Sequence, residues 1–195
     1  MESGMGFPQL AAWRHRDARV GFEVAFFARI ADGLRVDGHT AAVEEGEPFA
    51  VRYAIHLDAA WRTVSAHLWC RAAGGTYERH LESDGRGSWR VDGAAAPALR
   101  GLLDVDLEAS AMTNAFPARR MRLAVGAAAD APAAYVRALD PAVEPLEQRY
   151  ERLPDAADGG ERYAYGAPRF DTFCELVYAP DGFVVDYPGL AERAL

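Results

Sequence analysis

Much of the chain alternates between apolar and polar residues with a period of two, the pattern of β-strands that bury one face. The segment 49–57 is the clearest case. Its apolar face carries Phe49, Val51, Tyr53, Ile55 and Leu57. Further strands are predicted at about 22–30, 61–71, 76–82, 87–92, 102–108, 119–125, 133–139, 144–153, 161–166, 170–178 and 182–187.

Turn residues separate these strands, and a Gly preceded by Asp or by another Gly is a strong hairpin signal. Such pairs are Asp32-Gly33, Asp37-Gly38, Gly74-Gly75, Asp84-Gly85 and Asp181-Gly182. Helical patterns are confined to 188–195 and 94–100. Many short strands at this spacing predict an all-β fold, a curved antiparallel sheet forming a half-barrel or incompletely closed barrel, with a short C-terminal helical turn. The length of 195 residues suits a single domain over 1–195.

Two regions of the chain resemble each other. In each, an Arg-Tyr-Ala triplet, at Tyr53 and at Tyr163, is followed by an aromatic residue, a Thr and a second aromatic residue with the same spacing. The first set is Trp61, Thr63 and Trp69, and the second is Phe170, Thr172 and Tyr178. Internal duplication of a half-barrel would produce this pattern, and so would chance similarity between strands.

The segment 102–123 combines carboxylates and guanidiniums in two strand-like runs around a polar loop. Asp104 and Asp106 share one face of the first run, and Arg120 and Arg122 share one face of the second. If the runs are neighbouring strands, these charges meet on the side opposite the core. Three interpretations stay open: a structural ion-pair network, a recognition site for a sugar or phosphate headgroup, and a catalytic or metal site.

Arg119 differs from its basic neighbours, because strict alternation places it on the apolar face of Met121. We therefore expect Arg119 to be the guanidinium that is buried and paired. Asn114 lies just before Phe116-Pro117, where an Asn side chain usually bonds local backbone and can alternatively contact a headgroup.

Glu23 lies on the aromatic-rich strand predicted at 22–30. A carboxylate there is usually solvated or paired with an Arg, and pairing with Arg is the expected outcome. If the sheet instead closes over its face, Glu23 becomes a buried acid with a raised pKa. Tyr and Trp residues with polar tips suit either an ordinary β core or a cavity for an amphiphile. They are Tyr53, Trp61, Trp69, Trp89, Tyr150, Tyr163, Tyr165 and Tyr187.

The net charge of -8 argues against nucleic acid or an anionic membrane as the main partner, since phosphate binding needs a positive field. No apolar run approaches the roughly 18 residues of a membrane span, and the N-terminus lacks the pattern of a secretory signal. Cys70 and Cys174 lack metal-site spacing. The motifs of phosphate loops, nucleophile elbows and zinc proteases are absent as well. We expect a cytoplasmic protein with no cofactor, no metal and no integral membrane contact.

Several short motifs carry a family resemblance. Within 102–123 they are Leu103-Asp104-Val105-Asp106-Leu107, Thr113-Asn114, Pro117 and Arg119-Arg120. Elsewhere they are Trp13, Gly21, Glu23, Tyr53, Trp61, Asp84, Gly87-Ser88-Trp89, Gln148, Tyr150 and 181–188. With these residues nearly the whole chain resembles the bacterial "Putative glycolipid-binding" family, a domain of unknown function. The resemblance implies a barrel-type antiparallel sheet similar to that of lipoprotein carriers, and a glycolipid ligand.

Pattern and resemblance together predict non-catalytic binding of an amphiphilic, glycolipid-like small molecule in a concave, aromatic-lined cavity supported by the apolar face of 49–57. The expected ligand-binding residues are Glu23, Tyr53, Trp61, Trp89, Asp104, Asp106, Asn114, Arg119, Arg120, Tyr150 and Tyr163. One alternative is an enzyme that acts on a sugar- or phosphate-containing small molecule through Asp104, Asp106 or Glu23. Another is a scaffold whose interior is filled by its own side chains.

Overall fold

The computed structural model describes residues 7–140 and 142–195. Within these ranges the chain forms seventeen strands and one α-helix, α1 (Ala115–Met121). The strands are β1 (Leu10–His15), β2 (Val20–Ile30), β3 (Gly33–Glu44), β4 (Glu47–Asp58), β5 (Thr63–Ala72), β6 (Gly75–Ser83), β7 (Trp89–Val91), β8 (Ala94–Ala95), β9 (Asp104–Leu107), β10 (Ala128–Asp130), β11 (Ala133–Val136), β12 (Val143–Leu146), β13 (Arg149–Leu153), β14 (Glu161–Ala167), β15 (Thr172–Tyr178), β16 (Val184–Tyr187) and β17 (Ala191–Arg193). Single 3-10 turns occur at Pro97–Leu99, Met112–Asn114 and Pro168–Phe170.

Fourteen of these strands form one curved antiparallel sheet, in the order β10-β13-β14-β15-β16-β17-β1-β2-β3-β4-β5-β6-β7-β8. Consecutive strands pair as hairpins in both the N-terminal part (β1 to β8) and the C-terminal part (β13 to β17). The two parts join where β17 pairs with β1, with Trp13 opposite Arg193. The sheet does not close, which confirms the predicted all-β, half-barrel architecture.

A segment of the chain occupies the concave side of this sheet, and we call residues 102–121 the inner segment. It contains β9, which pairs in parallel with β11 in a separate three-stranded sheet, and α1. Side chains from the large sheet hydrogen-bond to its backbone: Thr40 Oγ1 donates to the Ala109 carbonyl at 2.7 Å, and Trp89 Nε1 donates to the Leu102 carbonyl at 2.8 Å. All four residues of β9 are buried. The apolar face of β4 therefore packs in a continuous core instead of facing an empty cavity.

The inner segment departs from the sequence prediction at its C-terminal end. Residues 119–125, predicted as a strand, contain the last turn of α1, which ends where Arg122 adopts a left-handed backbone with φ of 47°. Pro117 lies in the first turn of α1, where its missing N–H costs no helical hydrogen bond. Asp104 and Asp106 are buried like Val105 between them, so the expected separation into a core face and an outer face is wrong.

Other predictions fail where long-range pairing decides the structure. The predicted C-terminal helical turn over 188–195 contains β17, because this segment pairs with both β16 and β1. The predicted strand 144–153 is divided between β12 and β13, which belong to different sheets. The Asp37-Gly38 hairpin signal lies in the middle of β3, a strand that the pattern did not predict. β1 is also missing from the predicted strands.

The two similar regions occupy matching hairpins of the large sheet, β4–β5 and β14–β15. Tyr53 and Tyr163 are both buried. Internal duplication stays a hypothesis. No helix in the described part of the chain is long and apolar enough to cross a membrane.

Candidate functional site

Glu23 is a buried carboxylate that joins the large sheet to the inner segment. Its Oε1 accepts hydrogen bonds from the Tyr53 hydroxyl, at 2.6 Å, and from the Ser110 hydroxyl. Its Oε2 accepts the backbone N–H of Ala111 at 2.9 Å. The expected pairing with Arg is wrong: Glu23 is fully buried, and burial raises its pKa to about 7 despite these hydrogen bonds. The alternative expectation, a buried acid with a raised pKa, is confirmed.

Asp104 forms the ion pair expected for the charged cluster, with Arg120 as its partner. Arg120 Nη2 lies 2.6 Å from Oδ2, and Nε lies 3.1 and 3.2 Å from the two carboxylate oxygens. The guanidinium comes from α1 and not from a neighbouring strand. Burial raises the pKa of Asp104, and the contact with Arg120 opposes that rise. This arrangement is a forked Arg–carboxylate pair within the protein interior.

Asp106 has neutral hydrogen-bond partners, in contrast to Asp104. The Thr113 hydroxyl donates to its Oδ1 at 2.8 Å, and the Gln148 amide donates to its Oδ2. Burial raises the pKa of Asp106 to about 6, and the nearby carboxylates of Asp104 and Glu108 act in the same direction. Asp106 is therefore a carboxyl group that titrates near neutral pH beside a cavity.

That cavity, which we call the tyrosine cleft, is half-enclosed, has a volume of about 240 Å³ and lies beside the inner segment. Its lining includes Asp106, Ser110, Asn114, Tyr135, Tyr165 and Tyr187. Tyr165 and Tyr187 meet edge to face with ring centroids 5.7 Å apart, and Tyr135 lies 5.3 Å from Phe170. Arg19 and Glu44 also line it and form an ion pair at 3.3 Å. Polar groups converging among aromatic rings are typical of small-molecule sites.

Of the predicted site residues, Asp106 and Asn114 come together in the tyrosine cleft, where Asn114 Nδ2 donates to the Tyr150 hydroxyl at 3.0 Å. Trp61 and Arg119 come together elsewhere, with the guanidinium carbon 4.5 Å from the indole ring centroid. The remaining seven are held in contacts within the protein. They are Glu23, Tyr53, Trp89, Asp104, Arg120, Tyr150 and Tyr163.

The expectation that Arg119 is the buried, paired guanidinium is wrong. Arg120 holds that role, because on a helix two adjacent residues point in different directions and only Arg120 reaches Asp104. Arg119 is half-buried and lies against aromatic rings, and its Nε is buried without a hydrogen-bond partner.

Sequence reasoning missed part of the tyrosine cleft. Tyr135 lies in β11, whose four residues are all buried, so no alternation marks its face. Arg19 precedes β2 and donates to the Glu108 carbonyl at 2.8 Å, a contact between distant segments. Tyr165 and Tyr187 belong to the aromatic set noted in the sequence, and their polar tips were the signal that could have marked them as lining a ligand-binding cavity. Among residues 7–140 and 142–195, no group of three or more His, Cys, Asp or Glu side chains could hold a metal ion.

Comparisons with known proteins agree with this fold. A family model described as "Putative glycolipid-binding" matches residues 10–193. The chain is similar to the crystal structure of a DUF1089 family protein from Pseudomonas aeruginosa, with 30% sequence identity and a TM-score of 0.77 over 99% of this chain and 97% of that chain. It is also similar to a β-barrel-like protein of domain of unknown function DUF1849 from Brucella abortus, with 10% identity and a TM-score of 0.55 over 94% of this chain and 92% of that chain. This second likeness shows the fold alone. No curated protein matches the chain.

Proposed function

The chain belongs to the "Putative glycolipid-binding" family, and on that premise we propose that the tyrosine cleft binds the sugar headgroup of an amphiphilic, glycolipid-like small molecule without catalysis. The observation that carries the proposal is the position of Asp106, a carboxyl with a pKa near 6 that lines a cleft walled by tyrosines. Carboxylates accept hydrogen bonds from sugar hydroxyls, and aromatic rings pack against the apolar faces of sugar rings.

The size of the cleft supports a compact headgroup as its occupant. Its volume of about 240 Å³ is below the range of roughly 300–1,000 Å³ that is typical of sites for drug-sized ligands. Because a volume this small suits a headgroup better than a headgroup with its acyl chains, we place the apolar part of the ligand outside the cleft. Phe170 lines the cleft and is 45% exposed. Its ring would contact the chain of the lipid as it leaves the cleft.

The enzyme alternative has less support than binding. Of its three acids, Glu23 is held by Tyr53 and Ser110, and Asp104 is held by Arg120. Asp106 alone of the three lines the tyrosine cleft. We therefore assign Asp106 and Asn114 to ligand contact, and the buried hydrogen bonds of Glu23, Trp89 and Asp104 to holding the inner segment in place.

Titration calorimetry with octyl β-glucoside, kept below its micellar concentration, tests the proposal. Saturable binding is expected for the unmodified protein, and Asp106→Asn should weaken it about tenfold, because a charge-assisted hydrogen bond is lost. Affinity should also rise as the pH passes upward through about 6, where Asp106 ionises. Asp130→Asn is the matched control, since Asp130 is exposed on β10 and paired only with Arg149.

Native mass spectrometry of the purified protein provides the second arm. A bound amphiphile that disappears in Asp106→Asn supports the proposal. If no lipid is recovered and octyl β-glucoside shows no saturable binding, or if both Asp variants bind equally, the proposal is rejected.

We also propose that residues 1–195 form one domain, because β17 makes the large sheet continuous between its two parts. The cytoplasmic location stays a prediction. Cys70 and Cys174 are both free thiols, which suits a reducing compartment.

A further inference from the structure

Three guanidiniums meet at the end of α1 that is remote from the tyrosine cleft. Arg119 lies in the last turn of α1, Arg122 follows it, and Arg29 comes from the end of β2. Two adjoining cavities of about 310 and 390 Å³ are both lined by Trp61, Arg119 and Arg122, and Arg29 lines the larger one. We call this region, defined by Arg29, Trp61, Arg119 and Arg122, the arginine pocket.

None of the three guanidiniums forms a close ion pair with a carboxylate among residues 7–140 and 142–195, and Asp181 and Glu161 act on Arg119 only at longer range. The acids nearby are already engaged. Asp58 pairs with Arg62 at 2.7 Å, Asp181 pairs with Arg193 at 2.7 Å, and Glu161 accepts the Tyr163 hydroxyl and lies 3.7 Å from Arg152.

Arg119 is positioned by aromatic rings instead of by acids. Its guanidinium carbon lies 4.5 Å from the centroid of Trp61, 5.2 Å from Phe183 and 5.6 Å from Phe7. It also lies directly over Gly182, where an added Cβ would be 2.5 Å from it. Cation–π contacts orient a guanidinium while leaving its N–H groups available to an anion.

Trp61 provides an independent sign that this place is built for a ligand. Its backbone has φ of 66°, a left-handed conformation that is costly for a bulky residue and tends to persist at functional sites. The turn that holds it is fixed by Asp58, which accepts the backbone N–H groups of Ala60 and Arg62. The strained turn presents the indole ring to Arg119.

We infer that the arginine pocket binds a phosphate monoester group. Two forked guanidiniums and a third cation match the charge and the acceptor geometry of a phosphate dianion. The adjoining cavities leave room for the group that carries the phosphate, and Trp61 offers an apolar ring surface to it. Such a group can come from a soluble phosphate ester or from a lipid headgroup.

This site is separate from the tyrosine cleft. The two regions share no lining residue, and they lie at opposite ends of α1, with Asn114 immediately before the helix and Arg122 immediately after it. Loss of sugar binding through Asp106 would therefore leave phosphate binding intact, and the reverse also holds.

Titration calorimetry with inorganic phosphate and with glucose 1-phosphate, at constant ionic strength, tests the inference. Arg119→Gln and Arg29→Gln should each raise the Kd at least about tenfold, since each removes a charge-assisted contact. Arg71→Gln is the matched control, because Arg71 is an exposed arginine of β5 outside the pocket and carries the same charge change. Arg29 is exposed as well, so Arg29→Gln keeps the test valid if Arg119→Gln destabilises the protein.

Vesicle sedimentation distinguishes the two sources of phosphate. Phosphatidylcholine vesicles with and without phosphatidic acid are compared for the same three variants. Selective binding to phosphatidic acid that is lost in the two pocket variants identifies a lipid phosphate, whereas binding of glucose 1-phosphate alone identifies a soluble ester. The inference is overturned if neither phosphate probe binds, or if titration with sodium chloride of equal ionic strength gives the same heat signal as phosphate. It is also overturned if Arg71→Gln weakens binding as much as the pocket variants do.

Discussion

Glu23 connects the protonation state of a single side chain to the attachment of the inner segment. Its carboxyl group bonds Tyr53 of β4 and also Ser110 and Ala111 of the inner segment, all out of contact with water. A proton on a carboxyl group with a pKa of about 7 is retained in the folded protein up to neutral pH. The unfolded chain loses the same proton near the ordinary value of 4.5. Folding is therefore coupled to proton binding at this residue.

The sign of this coupling gives the first prediction at the scale of the residue. Between pH 4.5 and about 7 the folded state holds more protons than the unfolded state, so the free energy of unfolding falls as the pH rises. Glu23→Gln removes the titration and keeps the side-chain shape. From pH 5 to pH 8, the free energy of unfolding measured in urea should fall by about 2–3 kcal/mol more for the unmodified protein than for Glu23→Gln.

Comparing the two proteins at each pH cancels the contributions of other buried groups whose pKa differs between the folded and unfolded states. Among them are Asp106, with a folded-state pKa of about 6 against 3.8, and His15, with about 4 against 6.5. A constant difference in unfolding free energy from pH 5 to pH 8 would show that Glu23 is ionised throughout, contrary to its burial among neutral groups.

Residue types were easier to predict from the sequence than residue contacts. The pattern identified Asp104, Arg119 and Arg120 as a group, and a forked Asp–Arg pair is present. It assigned the pair to the wrong arginine, because a strand was assumed where α1 forms. On a strand, neighbours point to opposite faces, whereas on a helix they are about 100° apart. The ion-pair partner of Asp104 could therefore be predicted only if the helical conformation of this segment was predicted first.

The strand β3 contains a residue pair typical of turns, Asp37-Gly38, in the middle of a continuous strand. Gly38 lies directly opposite Tyr53 of β4, and the Tyr53 ring covers the glycine. An aromatic residue packed over a glycine on the neighbouring strand compensates for the missing side chain. The Asp37-Gly38 pair is a hairpin signal in isolation, and this cross-strand contact with a residue far along the chain overrides it.

Gly38→Ala is the prediction at the scale of the element. The added Cβ would lie 2.1 Å from Tyr53 Cζ and 2.2 Å from Oη, so the ring must move and its hydrogen bond to Glu23 is lost. We expect a loss of about 2–4 kcal/mol in the free energy of unfolding, measured in urea. Gly74→Ala is the control, because nothing lies within 4 Å of its Cβ position. Equal unfolding midpoints for the two variants would contradict the packing described for Tyr53.

The helix α1 was missed for a related reason. Helical periodicity is visible only when one face is exposed, and Ala115, Phe116, Pro117 and Ala118 are all buried. Meanwhile Met121, Leu123 and Val125 alternate with polar or small residues like one face of a strand. Met121 and Leu123 pack against the core from the end of α1 and the turn after it, whereas Val125 is 59% exposed. The seven residues of α1 are too few to show a second repeat.

At the scale of the whole molecule, local hairpins could be predicted from the sequence, whereas pairing between strands far apart in the chain could not. Strands such as β4 and β5 follow each other through short turns, so their pairing follows from sequence order. The pairing of β17 with β1 joins residues from the two ends of the described chain, as in Trp13 opposite Arg193. The burial of the inner segment depends on that pairing, since its hydrogen-bond partners come from both parts of the sheet.

β17 is thus the three-residue strand on which the continuity of the large sheet depends, and its removal is the prediction at this scale. It pairs with β16 through Tyr187 and Ala191, and with β1 through Trp13 and Arg193. A chain that ends at Gly189 loses both ladders and the buried Ala191. At roughly 0.5–1.5 kcal/mol for each lost hydrogen bond, unfolding should become easier by on the order of 3–6 kcal/mol.

The loss should be accompanied by a change in how the molecule unfolds. With β1 and β16 both left as edges, no backbone ladder joins the N-terminal and C-terminal parts of the sheet. They stay connected through the inner segment and through direct contacts such as the hydrogen bond from Trp13 Nε1 to the Val184 carbonyl and the Phe27–Phe183 ring contact. Because the ladder is lost, urea unfolding should separate into two transitions. Hydrogen exchange should then show β1 and β16 exchanging faster than β4. Glu192→Gln is the control, since it removes only partly exposed ion pairs to Arg14 and Arg16, worth about 0–1 kcal/mol. A truncated protein that unfolds in one transition at the original midpoint would mean that the inner segment and the direct contacts of Trp13 and Phe27, and not β17, hold the two parts of the sheet together.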